Sequence, residues 1–213
     1  GHTILHVDVQ GGDVLEKGEE IESDSVDAII TDPPYPEQFL PVYQSLWTFA
    51  ARVLRPGGHL LVMTGQAHLP HVLCPFSPLE NKNMEWLGLR YQWMLGYFTP
   101  GQSTQVFGRK VKSNWKPVLW FIKGKNEWEH VEDTIRSDMN DKRFHDWGQS
   151  VGGMAQLIER FTVKQSIICD PFCGGGTTGV AALKLNRLFV GIDIDKSCLQ
   201  QTAERLRMVA EAA

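Results

Sequence analysis

No run in this 213-residue sequence approaches the roughly 18 apolar residues that a membrane-spanning helix needs. No charged stretch followed by an apolar one precedes a cleavage site, so a soluble, unsecreted, cytoplasmic protein is expected. Cysteine is sparse: Cys74, Cys169, Cys173 and Cys198 form no CxxC pair. The spacing of Cys169 and Cys173 comes without a second ligand pair, which excludes a zinc ribbon and predicts free, mostly buried thiols in a reducing compartment, with no metal. Internal repeats and low-complexity tracts are absent, which excludes solenoids and arrays. Positive charge is not in excess either. Twenty-one Lys and Arg against 25 Asp and Glu give a net charge of −4, which excludes a protein that coats nucleic acid with its whole surface, because phosphate affinity rests on Lys and Arg. The basic residues are unevenly spread, however. Residues 99–125 hold Arg109, Lys110, Lys112, Lys116, Lys123 and Lys125 and no acid, after which Glu127, Glu129, Glu132 and Asp133 reverse the sign.

What is present is an alternation of strand-like and helix-like segments. With 42% hydrophobic and 22% charged residues, the chain suits one core, expected as a single domain over residues 3–213. Residues 3–7 and 26–31 read as strands, the second apolar, β-branched and halted by two prolines. Residues 36–54 carry Phe39, Val42, Tyr43, Leu46, Phe49, Ala50 and Val53 at helical spacing and stop at Arg55-Pro56-Gly57-Gly58. Strands are predicted at 59–64, 90–98 and 117–122, the last two as a hairpin at a sheet edge. The remainder reads helix 152–161, strand 166–169, helix 177–185, strand 188–192, helix 196–210. This pattern predicts an α/β fold with a mainly parallel, doubly wound sheet, an antiparallel hairpin at one edge, and ligands at the carboxyl ends of the strands.

Two strand ends carry the chemistry. Asp32-Pro33-Pro34-Tyr35 follows the strand at 26–31, and Asp170-Pro171-Phe172-Cys173-Gly174-Gly175-Gly176-Thr177-Thr178-Gly179 joins a strand to a helix. A glycine corner there lets a ligand approach the backbone where a Cβ would obstruct it. About twenty residues further on, Asp193 ends the next strand, where a carboxylate can accept hydrogen bonds from both hydroxyls of a ribose. A dinucleotide site is the other cofactor reading of a glycine corner, and here Asp170-Pro171-Phe172 precedes the glycines. Cys173 reads as a packing residue and Asp195 as a cap of the following helix.

These strings resemble the DPPY and DPFxGxGTT motifs of the β-class S-adenosylmethionine-dependent DNA amino-methyltransferases (the DNA methylase N-4/N-6 family), with the catalytic motif first. The resemblance implies a Rossmann-like methyltransferase fold with circularly permuted motif order and S-adenosyl-L-methionine as cofactor. It implies cofactor contacts from Asp170, Phe172, Gly174, Gly176, Thr177 and Asp193. Gly12-Asp13-Val14-Leu15 matches the family's GDxL, whose acid lies near the cofactor adenine; a helix cap is the other reading of Asp13. Where the family has a His-Pro-Thr-Gln-Lys-Pro-like segment, this chain has His145-Asp146-Trp147-Gly148-Gln149-Ser150. The lysine is missing, and Gln149 and Ser150 are the polar contacts implied there.

The chemistry explains why the catalytic motif has this composition. An exocyclic amine of adenine or cytosine is a poor nucleophile because its lone pair is delocalised. A carboxylate and a carbonyl that accept its two hydrogens favour tetrahedral nitrogen and stabilise the developing charge. Asp32 and the Pro33 carbonyl are the expected acceptors, Pro33 and Pro34 fix the backbone, and Tyr35 offers a face for a base flipped out of duplex DNA. Adenine N6 in DNA is the expected target, because an aspartate heads the motif more often with adenine in this family. Cytosine N4, RNA adenine and a noncatalytic nucleic-acid-binding module are the alternatives. A small target-recognition region is expected within residues 99–150, with Arg109, Lys110 and Lys112 on phosphates and Asn114 and Trp115 on bases. So small a reader suits a short site, or help from a second copy of the chain or another partner. The family also leaves open a restriction endonuclease partner in a bacterial or phage restriction-modification system.

Overall fold

The computed structural model describes residues 18–77, 83–101, 103–138 and 150–211. The strand expected at 3–7 and the contacts expected of Asp13 and Gln149 lie outside these residues. The central sheet contains β1 (Val26–Thr31), β2 (Leu54–Met63), β3 (Glu85–Trp86), β4 (Leu89–Phe98), β7 (Trp115–Lys123), β8 (Thr134–Arg136), β9 (Ile167–Asp170) and β10 (Leu188–Gly191). Their spatial order is β10-β9-β1-β2-β7-β4-β3, with β8 also on β4. The first four run parallel, while β7 is antiparallel to β2 and β4 antiparallel to β7. The expected hairpin therefore forms, but its β7 strand lies inside the sheet. The outer edge of β4 is covered at one end by β3 and at the other by β8, which leaves little unpaired edge.

The helices are α1 (Leu40–Val53), the short α2 (Leu69–Leu73), α3 (Val151–Phe161), α4 (Thr177–Lys184) and α5 (Lys196–Glu211). They divide the apolar side chains into two layers. Tyr43, Leu46, Trp47, Ala50 and Val53 of α1 pack with Ile29, Leu60, Val62 and Phe121 on one face. Met154, Leu157, Ile158, Val180, Ala181 and Leu206 pack with Ala28, Ile30, Leu61 and Trp120 on the other. Successive residues of β1 and β2 thus face opposite layers, the period-two pattern of strands buried on both sides.

Three details refine this pattern. The second strand starts at Leu54, not His59, because Arg55-Pro56-Gly57-Gly58 bulges between the pairs Val26–Leu54 and Ala28–His59. Gly57 has φ +80°, and a Cβ on Gly58 would sit 2.9 Å from the Arg55 carbonyl oxygen, so glycine is required at both positions. The basic segment after Thr99 carries regular structure. Part of it forms a two-stranded ribbon, β5 (Thr104–Val106) against β6 (Val111–Ser113). Trp93, within the strand expected at 90–98, is exposed and donates to Asp133 through its indole N–H at 3.2 Å. The register of β4 against β7 shifts between Tyr91 and Trp93, which breaks the alternation that would have turned it inward.

Candidate active site

The chain leaves β1 toward β2 on one side of the sheet and returns through β9 and β10 on the other. The switch point therefore lies between β1 and β9, and in open α/β sheets the ligand crevice forms at the carboxyl ends of such strands. Both motifs begin there. Thr31, the last residue of β1, donates its hydroxyl to Asp170 Oδ1 at 2.7 Å, and Thr178 of α4 donates to Oδ2 at 2.6 Å. The Phe172 N–H adds a third bond at 3.2 Å. Asp170 is thus a buried clasp between β1, β9 and α4. Burial drives its pKa up to about 6, and these three donors oppose the rise.

The glycine corner is held from below and behind. Gly174 and Gly176 have φ of +46° and +74°, and a Cβ on Gly176 would lie 2.7 Å from Thr202. Thr202 donates to the Gly174 carbonyl at 2.7 Å, and Arg205 donates to the Gly175 carbonyl at 2.7 Å and to Thr177 Oγ1 at 3.3 Å. On the crevice side, Asp193 accepts from the Gly174 N–H at 2.8 Å and from the Asp195 N–H at 2.9 Å. Each oxygen keeps lone pairs for a ligand's hydroxyl groups. Asp195 caps α5 through the Ser197 N–H at 2.8 Å, and Cys173 is buried against Gly191, so both have the roles expected of them. A crevice with carboxylates at 32 and 193 and a corner without side chains suits a ligand that brings hydroxyls and positive charge.

Asp32 is half-buried and is approached from two sides. The Tyr35 hydroxyl donates to Oδ1, and the Lys116 ammonium lies 3.7 Å from Oδ2 and 5.3 Å from the Tyr35 ring centre. Burial, and next the charge of Asp32, raise the Tyr35 phenol well above its usual range, so it remains a neutral donor. Tyr35 packs over Gly65, where a side-chain carbon would stand 3.5 Å from its Cβ. Behind it, the Tyr43 and Thr64 hydroxyls are hydrogen-bonded at 2.8 Å, and the Thr64 N–H donates to the Pro117 carbonyl at 3.1 Å. This last bond ties the start of β7, and with it Lys116, to the end of β2.

The structure therefore joins the strand end that carries Asp32, Pro33, Pro34 and Tyr35 to the one that carries Asp170 through the Thr31 hydroxyl, and holds Asp193 on Gly174, while Phe172 packs against the core and Thr177 is buried with its hydroxyl accepting from Arg205. Ser150 is apart from them in one respect. It is buried and uses its hydroxyl to cap α3, accepting from the Gly153 N–H at 2.9 Å. Arg109 and Lys110 lie at the turn of the β5–β6 ribbon and Lys112 on β6, all exposed, while Trp115 stacks on Phe98 with ring centres 6.3 Å apart. The ribbon is anchored near the crevice by Ser113 donating to Gln66 at 2.5 Å. Lys116 belongs to the basic stretch of the sequence, and the fold adds it to the site. Thr202 and Arg205 join it from α5, where they sit on the stripe Leu199, Leu206, Val209 that calls for buried side chains. No group of three or more His, Cys, Asp or Glu residues able to hold a metal occurs among the described residues. No helix among them is long and apolar enough to cross a membrane.

A family profile described as DNA methylase matches residues 149–204. The chain is 26% identical to the Type II methyltransferase M2.LlaDCHI of Lactococcus lactis subsp. cremoris, over 88% of this chain and 84% of that one. It is 23% identical to the DNA adenine methyltransferase YhdJ of Escherichia coli (strain K12), over 96% of this chain and 82% of that one. Among solved structures, the M1.HpyAVI–SAM complex superposes with a TM-score of 0.72 at 25% identity, covering 93% of this chain and 98% of that one. The cytosine-N4-specific PvuII DNA methyltransferase superposes at 0.75 with 16% identity, covering 95% and 92%, a likeness of fold.

Proposed function

We propose that this chain, which belongs to the N4/N6 DNA methylase family, transfers a methyl group from S-adenosylmethionine to the exocyclic N6 of adenine in DNA. The observation that carries the reading is the hydrogen bond from Thr31 to Asp170. It joins the two strand ends, so that the acceptor motif at Asp32 and the glycine corner open on one crevice. S-adenosylmethionine, when bound, supplies a methyl group activated by a sulfonium. The crevice fits it: the corner at Phe172, Gly174, Gly176 and Thr177 would hold it, Asp193 would accept from its ribose hydroxyls, and the carboxylates would face its positive charge. Asp170, with both oxygens engaged, acts by fixing the corner. The hydroxyl of Ser150 caps α3, so no cofactor contact is assigned to it.

On the other side of the crevice, Asp32 Oδ2 and the Pro33 carbonyl would accept the two amine hydrogens and favour a tetrahedral nitrogen. The favourable interaction grows as the nitrogen becomes positive, so it lowers the barrier and does not merely bind the base. Asp32 then holds the proton that the nitrogen gives up once the N–C bond has formed. Pro34 keeps the clamp rigid, and Tyr35, whose hydroxyl is fixed on Asp32, presents its ring to a flipped base. Arg109, Lys110, Lys112, Asn114 and Trp115 would grip the surrounding nucleic acid. Adenine is preferred for the aspartate that heads the motif and for the likeness to a DNA adenine methyltransferase over 96% of this chain. Cytosine N4 is the second reading, because Asp32 can serve either amine. The small reading surface makes a second copy of the chain a reasonable partner, and sedimentation with and without duplex DNA tests this. Incubation with labelled cofactor and unmethylated duplex DNA, single-stranded DNA or RNA tests the function. Label is expected in the duplex, and none in any of the three despite cofactor binding would exclude the reading.

A further inference from the structure

Lys116 stands where the target amine should stand. Its ammonium is 3.7 Å from Asp32 Oδ2 and lies over the Tyr35 ring, 5.3 Å from the centre. The other carboxylate oxygen is taken by the Tyr35 hydroxyl, so Oδ2 is the side from which a base would present its hydrogens. Like an exocyclic amine, an ammonium is a nitrogen that donates hydrogens to a carboxylate. The pose is not a loose surface contact, because the Thr64 to Pro117 bond fixes the backbone beside Lys116. The side chain is 30% exposed, which gives its flexible stem a way out to water.

This arrangement suits the resting enzyme and opposes the reaction. A positive charge fixed beside a nitrogen that is itself becoming positive, and beside a cationic methyl donor, raises the barrier by Coulomb repulsion. It also occupies the ring face on which a base would stack. The ammonium must therefore leave as the base arrives, and a charge leaving a carboxylate in a half-buried crevice needs another anion. The anion that arrives with every nucleotide is its phosphate.

We propose that Lys116 is a displaceable occupant of the amine seat. It neutralises Asp32 while the crevice holds no base, and it moves to the phosphate of the incoming nucleotide as the base takes its place. Every charge is paired before and after the exchange: Lys116 with Asp32 at rest, then Lys116 with phosphate while Asp32 faces the amine. This inference rests on the methyltransferase reading given above.

Steady-state methylation of unmethylated plasmid DNA by the full chain, measured for Lys116→Met and Lys116→Arg across a range of salt concentrations, tests it. Loss of one phosphate contact in Lys116→Met should make the salt dependence of KM for DNA shallower by about one unit of log–log slope, without lowering kcat. Lys116→Arg keeps the phosphate charge and the salt slope, but its fork grips Asp32 more firmly, so kcat should fall several-fold. A fall in kcat with KM and salt slope unchanged in Lys116→Met would overturn the proposal, because the lysine would then act in the transition state. If Lys116→Met fails to bind cofactor, Lys116→Arg decides alone, and an unchanged kcat overturns the proposal. Absence of transfer by the unsubstituted chain to any nucleic acid would instead refute the methyltransferase reading itself.

Discussion

On the parallel side of the sheet, from β10 to β2, the polar groups at the strand ends hold one another. Asp170 takes three donors, Asp193 takes two, and the glycine corner hangs from Thr202 and Arg205. On the antiparallel side, β7 and β4 lead to a ribbon whose Arg109, Lys110 and Lys112 face solvent and whose Phe107 is 82% exposed. The first region spends its hydrogen-bonding capacity internally, which fixes the geometry that chemistry needs. The second keeps its charge and aromatic surface available, which suits a partner not yet bound. Lys116 lies at the seam, on β7 but paired with Asp32 of the other side.

The sharpest way to break this contrast is Asp32→Ala. If Asp32 supplies charge stabilisation and not scaffolding, methyl transfer should fall by about a thousandfold while isothermal titration shows cofactor affinity nearly unchanged. Equal loss of both would place Asp32 with the structural group. Next in size is Asp170, compared with Asp170→Asn by denaturant titration across pH. Its folded pKa, raised to about 6 from 3.8, means that the native state binds the extra proton between those values. Wild type should therefore lose stability relative to the variant as pH rises from about 4 to about 6, by roughly 3 kcal/mol in all. A flat difference would mean that burial does not dominate at the clasp.

Gly176→Val probes the corner directly. The residue has φ +74°, and its Cβ would meet Thr202 at 2.7 Å, so strain of about 1–3 kcal/mol should appear as weaker cofactor binding and a lower Tm. The change mildest for the fold and the chemistry concerns the ribbon. Replacing Arg109, Lys110 and Lys112 together by Gln should raise KM for DNA and reduce the salt slope by roughly 3, with cofactor affinity untouched. Loss of cofactor binding in that variant would erase the distinction between the two regions.

The same distinction explains what could be read from the chain. Asp32, the glycine corner and Asp193 were legible because each is a local pattern at the end of a strongly apolar strand, and the strand–helix alternation placed them on one sheet edge. The ribbon was not, because Thr104-Gln105-Val106 and Val111-Lys112-Ser113 are short and carry no core-facing stripe. The exposure of Trp93 was not legible either, because a register shift in the strand pairing is invisible in a pattern of alternation. Lys116 meets Asp32 only because β7 inserts antiparallel beside β2, a fact of topology that no spacing along the chain expresses. Thr202 and Arg205 were within reach, as polar residues on the buried stripe of a helix.

The central claim is that the crevice between β1 and β9 joins a methyl donor to an exocyclic amine. Digestion to nucleosides of duplex DNA treated with the enzyme and labelled S-adenosylmethionine tests it most directly. The label should appear in N6-methyladenine and vanish with Asp32→Ala. Label in no nucleoside, from a protein that binds the cofactor, would contradict the account.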